Sequence, residues 1–222
     1  MPERTIAQRT PDQNPKRWSV VIVGRWNRAI LTPLWIGKTL LSVQEGEPLH
    51  IEVAMDSIGP FRVTDRGLTV VADDQRLTIE TQNSSMADLS RAIEIALQAM
   101  SELPKTPVLA AGVNIYHQHG ADEHEQISRM WTTDLDDALA EADLPILERM
   151  AVRRLAWNSG HITFRVLMSS DGTSEPESGC WYNFERRSDE MQDLKDWLST
   201  SVVEIEEAVK RIRAMVLRKV EA

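Results

Sequence analysis

Hydrophobic positions along this chain follow two rhythms, first a period of two residues and then a period close to 3.6. Short runs between residues 49 and 80 alternate apolar and polar side chains, and an apolar stripe at helical spacing follows over 85–103. The same order recurs, with alternating runs over 151–185 and a longer stripe over 189–220. A period of two is typical of half-buried strands and a period of 3.6 of amphipathic helices. The pattern therefore predicts a set of strands followed by a long helix, twice.

The sequence predicts further elements before and between these two sets. A β-branched run over 18–23 predicts a buried strand, and residues 108–116 predict another. Thr32 followed by Pro33 is typical of a helix start, and Ser85 precedes the first long helix as a capping residue. Apolar spacing from Ile127 to Ala142 predicts one more helix. The run from Leu49 to Met55 has the alternation of a half-buried strand.

We therefore predict an α+β fold, with an antiparallel sheet in two successive halves and long helices packed on one face. Residues 1–17 are polar and lack the apolar core of a secretory signal, which predicts a disordered N-terminal arm. The first half would cover residues 18–120 and the second residues 121–222. Because most connecting loops are short, the halves could share a sheet and form one continuous domain.

Composition narrows the class of protein. The 222 residues are 42% hydrophobic and 27% charged, which is ordinary for a globular protein. No run of apolar residues approaches the length of about 20 residues that spans a bilayer, so we expect no membrane partner. The single cysteine, Cys180, excludes an intrachain disulfide and favours a reducing cytoplasm.

The net charge of −9 is concentrated in one segment. Residues 122–148 hold nine acidic side chains against one arginine, a net −8. Nucleic-acid binding relies on clustered Lys and Arg, so the charge argues against it. The segment predicts either a solvated helix face or a docking surface for a basic protein, with Asp134, Asp136 and Asp137 as candidate contacts.

Three histidines suggest a metal site. His117 and His119 would face the same side of a strand, and His124 follows within the same eight residues. Imidazoles with that spacing could bind zinc or another transition metal. The segment lacks paired cysteines and a His-Glu-x-x-His helix, so histidines in a solvated loop are the alternative interpretation.

Two other chemical signals are weaker. Residues 32–39 end in Gly-Lys-Thr like a phosphate-binding loop, but Thr32 stands where that motif has glycine, and Pro33 has no N–H. We expect a capped helix there and no nucleotide. A catalytic Cys180 would need a histidine nearby in space, which the sequence does not supply, so we expect a buried structural thiol.

Two segments carry a family resemblance. Residues 24–35, Gly-Arg-Trp-Asn-Arg-Ala-Ile-Leu-Thr-Pro-Leu-Trp, and residues 103–116, Leu-Pro-Lys-Thr-Pro-Val-Leu-Ala-Ala-Gly-Val-Asn-Ile-Tyr, resemble elements of a sporadically distributed family of uncharacterised bacterial proteins. The resemblance mainly covers residues 20–120. It implies a bacterial or phage accessory protein of α+β fold, and it implies no activity and no catalytic residues.

The sequence thus favours a non-catalytic protein-binding or assembly subunit in the cytoplasm, without a cofactor and without enzymatic activity. The C-terminal stripe predicts a homo-oligomer through Val209, Ile212 and Val216, although the first half of the chain could cover this stripe instead. One alternative is a metal-dependent enzyme that uses the three histidines. Another is a small-molecule sensor with its pocket between sheet and helices.

Overall fold

The described part of the chain contains nine strands, which form one antiparallel sheet. The computed structural model describes residues 18–53, 59–119, 123, 125, 127, 133–144, 146–169, 178–199 and 202–218. The strands are β1 Ser19–Gly24, β2 His50–Glu52, β3 Arg62–Asp65, β4 Leu68–Ala72, β5 Arg76–Thr81, β6 Val108–Gln118, β7 Glu148–Trp157, β8 Gly160–Ser169 and β9 Ser178–Arg187. Their order in the sheet is β2-β3-β4-β5-β1-β6-β9-β8-β7. The expected α+β class with an antiparallel sheet is confirmed.

The described part of the chain also contains five α-helices. They are α1 Pro33–Trp35, which continues into a π-helical turn Ile36–Leu40, then α2 Met86–Glu102, α3 Asp134–Glu141, α4 Met191–Ser199 and α5 Val202–Arg218. Helix α2 contacts β1 and β5, α4 contacts β6 and β9, and α5 contacts α2. No helix within the described residues is both long and apolar enough to cross a membrane.

The strands of the two sequence halves share this single sheet. Strand β6 pairs with β1 on one side and with β9 on the other, so that β9, β8 and β7 extend the sheet started by the first half. The β6–β9 register runs without a break from Ala110 opposite Arg187 to Gln118 opposite Gly179. This long pairing fixes the end of β6 beside the start of β9, with His117 opposite Cys180.

The hydrophobic core lies between the sheet and the helices. Alternate strand residues face it, and Ile22, Ile79, Val113 and Phe184 are fully buried there. Their intervening neighbours face the other side of the sheet, as the period of two requires. The packed face therefore follows directly from the alternation that predicted the strands.

The helix start predicted at Ser85 is confirmed. The Ser85 side chain accepts a hydrogen bond from Asp88 N and donates to its carboxylate. The strand expected over 49–55 is observed as β2, whose three residues are all exposed because it lies at the edge of the sheet, and residues 54 and 55 lie outside the described part. Of the helix expected from Ile127 to Ala142, the structure gives α3, and residues 128–132 lie outside the described part.

Candidate functional site

The face of the sheet opposite the helices forms an open groove, here called the open face. Residues from eight strands, all except β7, line about 1190 Å³ of space, and no described helix contributes to it. An antiparallel sheet commonly leaves one face to solvent. Here the uncovered face is concave and broad enough to hold a ligand.

A continuous row of polar side chains crosses this face. One residue from each strand stands directly opposite its neighbour on the next strand. In sheet order this polar row consists of His50, Thr64, Thr69, Glu80, Ser19, Asn114, Asn183, Thr163 and Arg154. The row exists only because the register of all eight strand pairs aligns these positions.

Hydrogen bonds between neighbours orient the centre of the polar row. Asn183 Nδ2 donates to Asn114 Oδ1 at 2.8 Å, and Asn114 Nδ2 donates to Ser19 Oγ at 3.2 Å. The hydroxyls of Thr64 and Thr69 lie 2.9 Å apart. Each primary amide has two donor hydrogens and an acceptor with two lone pairs, so these bonds leave capacity for a ligand.

Charged side chains beside the polar row are paired and nearly balanced. Arg62 contacts Glu80 at 2.5 Å and Glu52 at 3.3 Å, and Arg187 contacts Glu185 at 2.5 Å. Four arginines and three glutamates line the groove, a local charge of +1. The open face thus differs from the rest of a chain whose net charge is −9.

An aromatic pair lies beside the polar row, because Trp181 is two residues from Asn183 on the same face of β9. The rings of Trp181 and Tyr116 lie 4.8 Å apart with a 34° tilt. Gly179 lets the Tyr116 ring lie flat over the strand, since a Cβ there would come within 2.4 Å of the ring. The half-buried Trp181 lines the groove and offers an apolar surface beside the polar row.

On the helix-facing side of the same sheet, four side chains form a second cluster, here called the thiol relay. Cys180 Sγ lies 3.1 Å from His119 Nε2, and His119 Nδ1 lies 3.3 Å from Glu123 Oε2. Glu123 also pairs with Arg213 of α5. The carboxylate accepts from Nδ1–H, which leaves Nε2 to accept from the thiol.

The thiol relay has the connectivity of a nucleophile, a base and an orienting carboxylate, but not their reactivity. Cys180 is only 1% exposed, so a substrate has no route to its sulfur in this conformation. Burial raises the pKa of Cys180 to about 12, so the thiol stays protonated at neutral pH. Burial likewise raises the pKa of the neighbouring Tyr182. The expected buried thiol is confirmed, and the relay links the end of β6 to α5.

His117 and His119 are not in a solvated loop. His117 belongs to β6, and its ring contacts Trp18 at 5.4 Å and Tyr182 at 6.0 Å, where burial lowers its pKa. His119 is buried in the thiol relay, so the solvated-loop interpretation is wrong for both residues. His124 lies outside the described residues. No group of three or more potential ligands within the described part is arranged to hold a metal ion, and a site that includes His124 stays a prediction.

One residue of the acidic segment, Asp136, makes contacts within the chain itself. Asp136 accepts from Thr133 N at 2.8 Å at the start of α3 and pairs with Arg149 at 3.3 Å. The hydrogen bond from Thr133 is the main reason that the pKa of Asp136 is lowered. Asp134 and Asp137 are exposed, and docking through the three aspartates stays a prediction.

The C-terminal stripe is partly covered by the chain itself. Val209 is 3% exposed because the folded chain itself covers it, while Ile212 and Val216 are half-buried against the core. The apolar area left for a second copy is therefore smaller than the sequence suggests. Self-association through Ile212 and Val216 stays a prediction, and Val209 is not accessible to a partner in this conformation.

The segment that resembles a phosphate-binding loop is a capped helix, as expected. Thr32 Oγ1 accepts from Trp35 N at 3.3 Å, and Pro33 occupies the first helical position. A Cβ at Gly37 would lie 2.8 Å from a Leu49 methyl carbon, so this glycine serves packing. The described geometry offers no cradle of backbone N–H groups for phosphate.

Comparison with known proteins gives no match: no family model matches the chain, and no curated protein matches it. The resemblance of residues 20–120 to the bacterial family therefore stays an expectation. Function has to be inferred from the geometry of the open face and of the thiol relay.

Proposed function

We propose that the protein is a non-catalytic binding subunit whose open face holds an extended polar segment of a protein partner. The observation that carries this proposal is the polar row, which runs across all nine strands and, on eight of them, along a concave surface that no described helix covers. A solvent-facing side of a sheet needs polar residues, but it does not need neighbouring ones to bond to each other, as Asn183, Asn114 and Ser19 do. The alignment supports a recognition role.

The dimensions of the groove favour an elongated ligand. Neighbouring strands are about 4.8 Å apart, so the eight strands that line the groove extend over about 34 Å. An extended polypeptide covers that distance with about 10 residues. Small-molecule sites are more enclosed and usually have volumes of about 300–1,000 Å³. The open, 1190 Å³ groove therefore supports a segment of a larger molecule over a small-molecule sensor.

The chemistry of the row favours a peptide. The amides of Asn114 and Asn183 present the donor and acceptor pair that a peptide bond also presents, so they can pair with a backbone of any sequence. Trp181, beside the polar row, can anchor one apolar side chain, in keeping with the frequency of Trp in binding hot spots. The paired charges select against a uniformly charged ligand such as a phosphate backbone.

The position of the thiol relay supports a binding role over a catalytic one. Its thiol is protonated, is inaccessible, and lies on the opposite side of the sheet from the groove. An enzyme would require its reactive groups to meet the ligand. The open face has ion pairs and amides, and among its described residues we find no nucleophile with a base in hydrogen-bond range.

A peptide library displayed on phage tests this proposal with the purified full-length chain as bait. Selected peptides are labelled, and their affinities are measured by fluorescence anisotropy for the wild type and for Asn183→Arg, which fills the centre of the groove. We expect affinity to fall at least tenfold, because the long side chain displaces the ligand from the amides. Far-UV circular dichroism checks that the variant is folded.

The matched control is Glu94→Arg, which places the same side chain on the exposed surface of α2, on the other side of the sheet. This variant should bind the peptides as the wild type does. Peptides that bind all three proteins equally, or a library that yields no groove-dependent peptide, would overturn the proposal.

A further inference from the structure

Strand β7 ends the sheet and has an unusually open edge. It is ten residues long, and its pairing with β8 is regular at every position from Glu148 opposite Ser169 to Trp157 opposite Gly160. Among the described residues no strand pairs with its outer side. Proteins commonly shorten, bulge or interrupt such an edge because its backbone groups can pair with another chain. Strand β7 has neither a bulge nor a proline.

Exposed apolar side chains are concentrated at this edge. Fourteen large apolar residues of the described chain are exposed, and five of them lie between residues 144 and 155. These five are Leu144, Leu147, Met150, Val152 and Leu155. Met150 and Val152 lie on the same side of the strand as Arg154, so two exposed apolar side chains stand next to each other beside the outer backbone edge. Isolated exposed apolar residues are ordinary, but such a pair at an edge strand is suited to an interaction surface.

The hairpin sets which backbone groups point outward. Strands β7 and β8 are joined by the two residues Asn158 and Ser159, both with positive φ, as in a type I′ turn. In such a hairpin Trp157 and Gly160 form the hydrogen-bonded pair that closes the turn, and the pattern alternates from there. The N–H and C=O groups of Met150, Val152 and Arg154 consequently point away from β8.

We propose that β7 pairs antiparallel with β7 of a second copy of this chain, around a twofold axis through Ala151. In this register Met150 lies opposite Val152 of the other copy, and Glu148 lies opposite Arg154. Each pair occurs twice because of the symmetry. A twofold axis perpendicular to the sheet also keeps the outward-pointing groups of both strands in hydrogen-bonding positions.

Charge complementarity favours a second copy over an unrelated partner. Moving the centre by one residue, to Met150 or Val152, places Glu148 opposite an apolar residue and loses both ion pairs. On the other side of the sheet Arg149 would face Arg153, and the Asp136 carboxylate 3.3 Å from Arg149 offsets that repulsion. The exposed Arg153 side chain donates to Val152 O in the single chain and has to rotate when the strands pair.

The dimer would join the two open faces. Opposite residues of antiparallel strands share one side of the sheet, so both grooves would open in the same direction. The polar row would continue from Arg154 of one copy to Glu148 of the next. Bivalent binding of a partner rests on the proposed function, whereas the pairing of β7 does not.

A symmetric cross-link tests the register directly. In the proposed dimer the two Ala151 residues form a non-hydrogen-bonded pair with Cα atoms about 4.5 Å apart, within the range of a disulfide. We expect Ala151→Cys to form a covalent dimer under mild oxidation, seen on a non-reducing gel. The matched control is Ala156→Cys, whose two copies would lie about 30 Å apart along the strands and should stay monomeric.

Light scattering tests the association without a cross-link. We expect the wild type to be a dimer at tens of micromolar, and Met150→Lys to be a folded monomer. The control Met215→Lys changes the same residue type at equal exposure on α5, 57% against 58%, and should leave the dimer intact. A monomeric wild type, equal cross-linking of both cysteine variants, or loss of the dimer only with Met215→Lys would overturn the proposal. None of these readouts requires peptide binding.

Discussion

The reactivity of Cys180 offers a quantitative test of whether the thiol relay is structural or catalytic. The perturbation is a small disulfide reagent such as DTNB, added at pH 8 to the native protein and to the same protein unfolded in guanidinium. Cys180 is the only cysteine, so the absorbance reports one thiol. The thiolate is the reacting form, which links the rate to the pKa.

The magnitude follows from the pKa. Burial raises it from 9.0 to about 12, and each unit is a factor of ten in ionisation above the pH of measurement. At pH 8 the thiolate fraction falls from about one in ten to about one in ten thousand, a factor of about 1,000. The 1% exposure lowers the native rate further, because the reagent has to wait for an opening of the core.

We therefore expect native Cys180 to react at least 1,000 times more slowly than the unfolded thiol. His119→Ala is the informative second variant. Loss of its hydrogen bond should leave the native rate unchanged or raise it by loosening the core. A native rate within tenfold of the unfolded rate that falls in His119→Ala would refute the reasoning, since it would identify an activated nucleophile.

Three further predictions concern stability. The free energy of unfolding should fall as the pH rises above about 9, by up to about 1.4 kcal/mol per pH unit, because the Cys180 thiol ionises at a lower pH in the unfolded chain than in the native one. Urea unfolding of the wild type and of Cys180→Ala from pH 8 to 10 measures this dependence, and an equal dependence on pH in both proteins would contradict it. Phe184→Ala should lower the free energy of unfolding, measured in urea, by about 3–5 kcal/mol, because the ring is fully buried and its centre lies 4.9 Å from that of Trp157. A loss below about 1 kcal/mol would contradict the burial of Phe184 in the core. Asp136→Ala should lower the melting temperature in a thermal scan more than Asp134→Ala, because Asp136 accepts a hydrogen bond from Thr133 N and pairs with Arg149. Equal shifts in the two variants would contradict a stabilising role of these contacts.

The elements of this fold could be predicted from the sequence because each depends on neighbouring residues. Alternation identified the packed strands, and the signals at Thr32 and Ser85 marked helix starts that the structure confirms. The exposed β2 was expected to be half-buried, since alternation does not show whether a strand lies at the centre or the edge of a sheet. The position of β1 between β5 and β6 also depends on pairings that no local pattern encodes.

The sites could not be predicted for the same reason. His119 and Cys180 are 61 residues apart in the chain, and only the β6–β9 register brings them to 3.1 Å. The polar row consists of residues that each look like an ordinary solvent-facing position of a strand. Asn114 lies at the centre of the row and belongs to the segment 103–116 that carries the family resemblance, but nothing in the sequence marks it as a binding residue.

Nitrogen-15 NMR of the side-chain amides and indoles is the most direct test of binding on the open face. Titration with a groove-selected peptide should shift the Nδ2 resonances of Asn114 and Asn183 and the indole resonance of Trp181 along one saturating curve. The indoles of Trp18 and Trp197, buried on the helix-facing side, should stay in place. Shifts confined to those two indoles, with the asparagine amides unchanged, would contradict binding at the open face.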